Sequence, residues 1–268
     1  MRWTERQQVL LREMGLRLWL PGVPAAAADT AAPDVTALPA PSPPMAGAMV
    51  AAVVTPAPAV AGLPAPAAAT SSPVSGLDWP ELRAAVAGCR ACGLCESRRQ
   101  TVFGVGHERA HCMVVGEAPG EQEDLLGEPF VGAAGKLLDR MLAALGLTRD
   151  AAAPEHQVFI ANTLKCRPPR NRNPTAEELA ACQPFLERQV ALVQPRVILA
   201  MGRFAVQSLL GSDEPIAKLR GRLHRWHGVP LVVTYHPAYL LRQPADKARA
   251  WDDLCLAATC LDAPQPAA

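Results

Sequence analysis

The sequence has little net charge and few aromatic residues, and its start has only short apolar runs. The formal net charge is +1, so bulk charge does not indicate a nucleic-acid partner. Four arginines interrupt the apolar residues of the stretch 1–22. The apolar runs between these arginines are shorter than the ~7–15-residue core of a secretory signal and the ~20 residues of a membrane span. We therefore expect a cytoplasmic protein that does not enter a membrane.

Cysteine, in contrast, is abundant, with eight residues, and in a reducing compartment this favours metal ligation over disulfides. Cys89 and Cys92 form a C-x2-C turn that can chelate one centre. Cys166 and Cys182 have fifteen residues between them, too many for the second knuckle of a zinc ribbon. One tight turn with two scattered thiols is typical of an iron–sulfur cluster. Cys95 extends the turn and leaves the fourth ligand open, and buried thiols that act as small apolar side chains are the alternative.

Composition divides the chain into four parts. Residues 1–20 have the spacing of a short amphipathic helix. Residues 21–76 are rich in Ala and Pro with few charges, which predicts a disordered arm. Residues 77–262 alternate apolar runs with helical patterns and form the predicted catalytic domain, and 263–268 are a tail. The first helix is then either a tethered docking element for a protein partner or a flap on the domain.

Alternating strands and helices predict an α/β sandwich with a mainly parallel sheet. The predicted strands lie at 110–115, 157–162 and 196–202, with a further hairpin or adjacent pair between 223 and 237. The predicted helices lie at 132–147, 174–193, 203–211 and 244–262. The motifs GEAPG and YHPAYLLR both follow strands. Because ligands bind at the carboxyl ends of parallel strands, we expect these two motifs to form one site.

Charge is distributed unevenly within this domain. Acidic residues concentrate at 117–128, whereas basic residues concentrate at 165–172 and 218–225. This segregation suits a phosphate-binding rim around an acidic pocket. Ordinary solvated loops are the alternative.

Six motifs occur in an order that resembles one known family. They are CRAC, VFGVG, GEAPGEQED, PFVGAAG, IANTLKCRPP and YHPAYLLR, and the resemblance covers residues 77–262. The chain is similar to the family 4 uracil-DNA glycosylases, the iron–sulfur type of that superfamily. The resemblance implies a three-layer α/β sandwich with a four-stranded sheet, a [4Fe–4S] cluster, and excision of uracil from single- or double-stranded DNA by a monomer. By position, the cluster ligands would be Cys89, Cys92, Cys166 and Cys182, with Cys95 as a bystander.

Excising a base requires the nucleotide to leave the stack and enter a pocket. Asn162 can contact the uracil edge, Phe130 can stack on the base, and His236 can donate to uracil O2 as negative charge develops. The alternatives are a turn-forming Asn, a core Phe and a structural His. The family comparison indicates Glu117 and Glu123 as carboxylates that position water or support the sugar cation.

The resemblance also implies several further contacts. Ala118 contacts the substrate and stands where the best-known sister family has Asp, so water activation must differ here. Asn171 falls in a loop near the site. Residues expected to enter the duplex or to grip phosphates are Leu240, Leu241, Arg242, Lys165, Arg167 and Arg170.

Two other functions remain open at this point. A damage-binding protein would grip uracil or abasic DNA with little turnover, and a replication accessory protein would use the Pro/Ala arm to recruit a partner. Relatives that trap the abasic sugar carry GEQPG and an inserted basic loop. Here the motif reads GEAPG, and His224 lies in a short segment, which disfavours trapping.

Overall fold

A mixed sheet of six strands organises the part of the chain that the computed structural model describes, residues 74–263. The strand order is β1-β3-β2-β4-β6-β5, and the central four strands are parallel. The strands are β1 Val105–Gly106, β2 Cys112–Gly116, β3 Val158–Asn162, β4 Val197–Met201, β5 Leu223–Trp226 and β6 Val229–Thr234.

The expected count of four strands was wrong, because each edge of the sheet carries one more, antiparallel strand. At one edge β1 pairs with β3 through two residues, a length too short to leave a periodic pattern in the sequence. At the other edge β5 forms a hairpin with β6, in which Trp226 faces Val229. This hairpin is one of the two arrangements that the sequence allowed.

Helices connect the strands. They are α1 Trp79–Ala87, α2 Glu121–Leu126, α3 Ala133–Ala144, α4 Ala176–Val193, α5 Arg203–Leu210, α6 Ile216–Leu219, α7 Pro237–Arg242 and α8 Lys247–Asp262. Short 3-10 turns lie at Gly93–Glu96, Pro169–Asn171 and Pro244–Asp246. Pro174 lies two residues before α4, because the Thr175 side chain accepts from Glu178 N and caps the helix.

The two faces of the sheet are covered by different helices, which gives three layers. One face packs Val114 and Ile160 against residues of α3 and α8 such as Met141 and Leu254. The opposite face packs residues of α1, α4 and α5. All five residues of each of β2, β3 and β4 are buried, as expected for parallel strands that are covered on both sides. The predicted α/β three-layer sandwich is therefore confirmed.

The predicted segments outside the catalytic domain lie mostly beyond the described residues. This applies to the helix at 1–20, to most of the arm at 21–76 and to most of the tail at 263–268. Among residues 74–263, every helix is too short or too polar to cross a membrane.

A buried ion pair fastens α8 to the loop that follows α6. Arg220 donates from Nε to Asp253 Oδ2 at 3.0 Å, and Gly221 N donates to Asp253 Oδ1 at 3.0 Å. The Asp253 side chain is fully buried, whereas the neighbouring Asp252 is exposed and lies 3.9 Å from Arg220. Burial raises the pKa of Asp253, and the hydrogen bond from Arg220 opposes this rise.

Removing the buried partner should destabilise the domain strongly. We expect Asp253→Ala to lower the free energy of unfolding by ~3–5 kcal/mol, because Arg220 would be left largely buried and without its main carboxylate. The matched control is Asp252→Ala, on the same helix and beside the same arginine. It should change stability by less than about 1 kcal/mol, since that carboxylate is solvated. Equal effects in urea denaturation would contradict the assignment.

Candidate active site

A cavity of about 270 Å³ opens at the carboxyl ends of the parallel strands. Loops that follow β2, β3, β4 and β6 all contribute to its wall, as expected for an α/β fold. The lining residues are Glu117, Ala118, Pro119, Gly120, Glu123, Phe130, Ala134, Asn162, Pro168, Asn171, Arg172, Asn173, Pro174, Phe204, His236 and Ala238. All seven residues predicted to act in catalysis or to contact the base therefore lie around one space.

Asn162 is the last residue of β3 and is buried in the cavity wall, where it pairs with Gly116 of β2. A Cβ atom on Gly116 would lie 2.4 Å from Asn162 Oδ1 and 2.6 Å from Phe130 Cζ. A side chain at this position would therefore displace the amide or the ring. Sequence reasoning did not single out Gly116, although its place at the end of a buried strand was the available signal.

Phe130 has a backbone conformation that is uncommon for a residue with a side chain, with φ of 55°. Arg149 holds this turn by donating to Pro129 O at 3.0 Å and to Phe130 O at 3.2 Å. The Phe130 ring stacks on His236, with ring centroids 5.4 Å apart and planes inclined by 26°. Arg149 was missed in the sequence, because its loop carries no motif that links it to the site.

His236 has one ring nitrogen committed to the backbone. Nδ1 accepts from Ala238 N at 3.1 Å at the start of α7, so the proton of the neutral ring lies on Nε2. Burial lowers the pKa of His236 to about 4, and the charge of Arg242 contributes. His236 is therefore a neutral hydrogen-bond donor near neutral pH.

The two predicted carboxylates have different surroundings. Glu123 accepts from the backbone N–H groups of Gly120 at 3.1 Å and of Val131 at 3.1 Å. These bonds tie its carboxylate to the two loops around the cavity. Glu117 instead accepts from Phe204 N at 3.3 Å at the start of α5, while burial raises its pKa. Gly202 makes room for it, since a Cβ there would lie 2.4 Å from Glu117 Oε1.

Two of the predicted DNA contacts lie inside the domain. Lys165 is only 1% exposed, and its Nζ donates to Asn162 O and to Gln189 Oε1 at 2.7 Å each. Leu240 is fully buried in the core on one side of the short helix α7, while Leu241 is 44% exposed. The structure therefore argues against a phosphate contact by Lys165 and against a wedge at Leu240.

The remaining basic candidates are accessible. Arg170 and Arg242 are exposed, and Arg167 is partly exposed. Arg167 Nε donates to Asn171 Oδ1 at 2.8 Å, which links this side chain to the cavity wall. Arg170 and Asn171 both have positive φ, so the loop turns sharply at this point.

A second, smaller cavity is lined by five cysteines: Cys89, Cys92, Cys95, Cys166 and Cys182. Among residues 74–263, no three cysteine, histidine or acidic side chains converge closely enough to hold a single metal ion. Thiolates are ligands both for zinc and for iron–sulfur clusters, and five thiols line this cavity. Cys95 lies at the same cavity as the other four, so its predicted role as a bystander remains a prediction.

A cationic side chain, Arg98, lies against these thiols. Arg98 donates to Cys166 Sγ at 2.9 Å and to Cys89 O at 2.9 Å. Burial raises the pKa of the Cys182 thiol to about 11, so its ionisation requires a nearby positive charge. Cys112 is fully buried in the sheet, and burial raises its pKa to about 12, as expected for a core thiol.

The fold and the pocket define a class of α/β enzyme with a site at the strand ends, and comparison with known proteins identifies the family. Residues 103–255 match the model of the uracil DNA glycosylase superfamily. A type-4 uracil-DNA glycosylase of Archaeoglobus fulgidus is 46% identical over 164 residues, covering 58% of this chain and 79% of the relative. Its counterpart in Pyrobaculum aerophilum is 38% identical over 188 residues, covering 67% of this chain and 93% of the relative. The chain therefore belongs to the type-4 family of the uracil DNA glycosylase superfamily.

The state of His236 can be measured without reference to activity. We expect its ring to titrate near pH 4 in an NMR pH titration, with the Nε2–H tautomer above that value. Because the folded pKa lies below the ordinary value of 6.5, the neutral ring favours the folded state above pH 6.5. This stabilisation, roughly 3 kcal/mol, should be lost as the pH falls from 6.5 to 4. His236→Gln should lack that slope, and a midpoint near 6.5 would contradict the assignment.

Proposed function

We propose that this protein is a DNA-repair enzyme that hydrolyses the N-glycosidic bond of uracil in DNA and leaves an abasic site. One observation carries the proposal: a buried amide, an aromatic ring, a neutral imidazole and a carboxylate converge on one cavity in a member of this family. The residues are Asn162, Phe130, His236 and Glu117.

Base recognition depends on Asn162 and Phe130. A side-chain amide offers one acceptor and two donors, which matches the alternating donor and acceptor edge of uracil. The Phe130 ring offers a face on which the flipped base can stack, while Ala118 and Asn171 line the remaining wall. A site that hydrogen-bonds one base edge rejects edges with a different pattern, because its own buried groups would remain unpaired.

Bond cleavage depends on His236 and Glu117. Uracil leaves as an anion, and the Nε2–H of His236 can donate to O2 as this charge develops. The carboxylate of Glu117 can hold the attacking water and stabilise the positive sugar on the other side of the bond. We assign this role to Glu117 rather than to Glu123, because both Glu123 oxygens accept backbone hydrogen bonds, whereas Glu117 accepts the bond from Phe204 N through Oε1.

DNA would be held by accessible basic side chains. Arg167 is partly exposed and Arg170 and Arg242 are exposed, so all three could contact phosphates, and Leu241 is exposed on the helix that His236 caps. Leu241 is therefore our candidate for the apolar contact with the base stack. The phosphate contacts of the arginines and the apolar contact of Leu241 would together hold the DNA strand while the uracil nucleotide enters the cavity.

The cysteine centre would hold a [4Fe–4S] cluster through Cys89, Cys92, Cys166 and Cys182. Hydrolysis transfers no electrons, so the cluster would serve structure when bound. These thiols come from the loop after α1, from the loop after β3 and from α4, which are distant in sequence. Ligation would therefore fix the loop that carries Arg167 and Arg170.

An excision assay tests the function directly. A labelled oligonucleotide with one uracil should be cleaved by alkali after incubation with the protein, in contrast to matched thymine and hypoxanthine controls. Asn162→Ala should lower the single-turnover rate by about 10²-fold or more, because the uracil edge would lose its partner. Gln183→Ala, which removes a partly exposed amide on α4 outside the cavity lining, is the control and should keep the wild-type rate. Tight binding of uracil DNA by the wild type without product would favour a damage-binding protein instead.

Metal analysis tests the cluster independently of activity. Anaerobically purified protein should contain about four iron and four sulfide per chain. Cys166→Ser should lose the visible absorbance and much of the soluble yield, while Cys95→Ser should retain both. Cys260→Ser, in α8 away from the centre, is the control. Stoichiometric zinc without iron in fresh protein would refute the assignment.

A further inference from the structure

Lys165 places a basic side chain inside the domain, between the cysteine cavity and the uracil pocket. Its side chain is among the largest that are fully buried, and it lines the cysteine cavity. A lysine is rarely buried without partners, because its amine must keep hydrogen-bond acceptors. The contacts of Nζ therefore indicate what the residue does.

On the pocket side, Nζ donates to the backbone carbonyl of Asn162 at 2.7 Å. Asn162 is the last residue of β3, and β1 pairs only with Phe159 and Ile160 of this strand. The bond from Lys165 therefore holds the backbone of Asn162, two residues beyond the end of that pairing. The side chain reaches back three residues and closes the turn that leaves the strand.

On the far side, the same Nζ donates to Gln189 Oε1 of α4 at 2.7 Å. Gln189 is also fully buried, and its Nε2 donates to Phe103 O at 2.9 Å. Val102 N in turn donates to Lys165 O at 2.8 Å. α4 and the segment before β1 thus fix the position of Lys165. Its bond to Asn162 O in turn fixes the backbone of Asn162.

The chain also connects this network to the thiols. Cys166 follows Lys165 directly, and Cys182 lies on α4 two turns before Gln189. We propose that Lys165 is a positioning residue that holds the Asn162 backbone relative to the cysteine centre, so that uracil recognition depends on the loop that the thiols fix. This inference rests on the proposed glycosylase function.

Three variants of the cluster-containing protein separate positioning from folding. Lys165→Met keeps a long, unbranched side chain and removes the amine that donates both hydrogen bonds. Gln189→Met removes the acceptor on α4 and keeps the bond to Asn162. Arg188→Met is the matched control, since it removes a long cation on the same helix whose Nε donates to Leu77 O, away from the pocket. Each is compared with wild type in iron content, visible absorbance, DNA affinity, free-uracil inhibition and single-turnover rate.

We expect Lys165→Met to lower the single-turnover rate by about 10- to 100-fold per cluster-containing molecule, because small displacements of a contact group have effects of this size. Inhibition by free uracil should weaken in parallel, while DNA affinity should stay within about threefold, since phosphate contacts set it. Gln189→Met should show a smaller loss of the same kind, and Arg188→Met should match wild type.

Two results would overturn the inference. One is a Lys165→Met rate equal to that of the control. The other is a rate loss that disappears when it is normalised to bound iron, since Lys165 would then only retain the cluster. If Lys165→Met does not fold, Gln189→Met decides, because a rate and uracil affinity equal to those of Arg188→Met would also overturn the inference. Failure of wild type to excise uracil would instead contradict the proposed function.

Discussion

The parallel pairing of β2 with β3 is the constraint on which the site depends. The pairing does not stop at Gly116 and Asn162, because Thr163 N donates to Gly116 O at 3.0 Å and Leu164 N donates to Glu117 O at 3.1 Å. The two segments that follow β2 and β3 therefore remain hydrogen-bonded in the same register as they leave the sheet. This brings Glu117, just after the end of β2, and Asn162, the last residue of β3, to the same cavity on hydrogen-bonded backbone. Gly116 permits this approach because it adds no side chain between the amide and the Phe130 ring.

Burial shifts the pKa of both His236 and Glu117 toward the neutral form. The backbone N–H of Ala238 selects the tautomer of His236, and burial keeps its ring neutral. The start of α5 supplies a backbone donor to Glu117, which favours the carboxylate where burial alone would favour the acid. A neutral donor and a carboxylate in one cavity match the opposite charges that develop on a departing base and on its sugar.

The sequence predicted the inner strands and main helices to within a few residues, because apolar runs and helical spacing are local signals. It also predicted that the motifs GEAPG and YHPAYLLR, which follow strands, lie at one site, while Phe130 and Asn171 were named through the family resemblance. The errors arose where tertiary contacts decide. Lys165 stands in a basic stretch that reads as exposed, and its burial depends on Gln189, 24 residues away. Leu240 and Leu241 are adjacent on a helix and so point in different directions, and here only Leu240 faces the core.

The cysteine centre lies next to a segment that the sheet does not hold in place. The sheet fixes the strand ends, but the segment from Lys165 to Thr175 leaves the sheet and has only one short 3-10 turn of regular structure. Its exposed arginines have little apolar area to bury, so packing alone cannot position them. Thiols at Cys166 and on α4 bracket this segment, and a centre bound between them would restrict it at both ends. Cys166 and Cys182 thus belong to a small apolar cluster with Leu94, Leu164 and Leu179, and this cluster supports the loop that we expect to contact DNA.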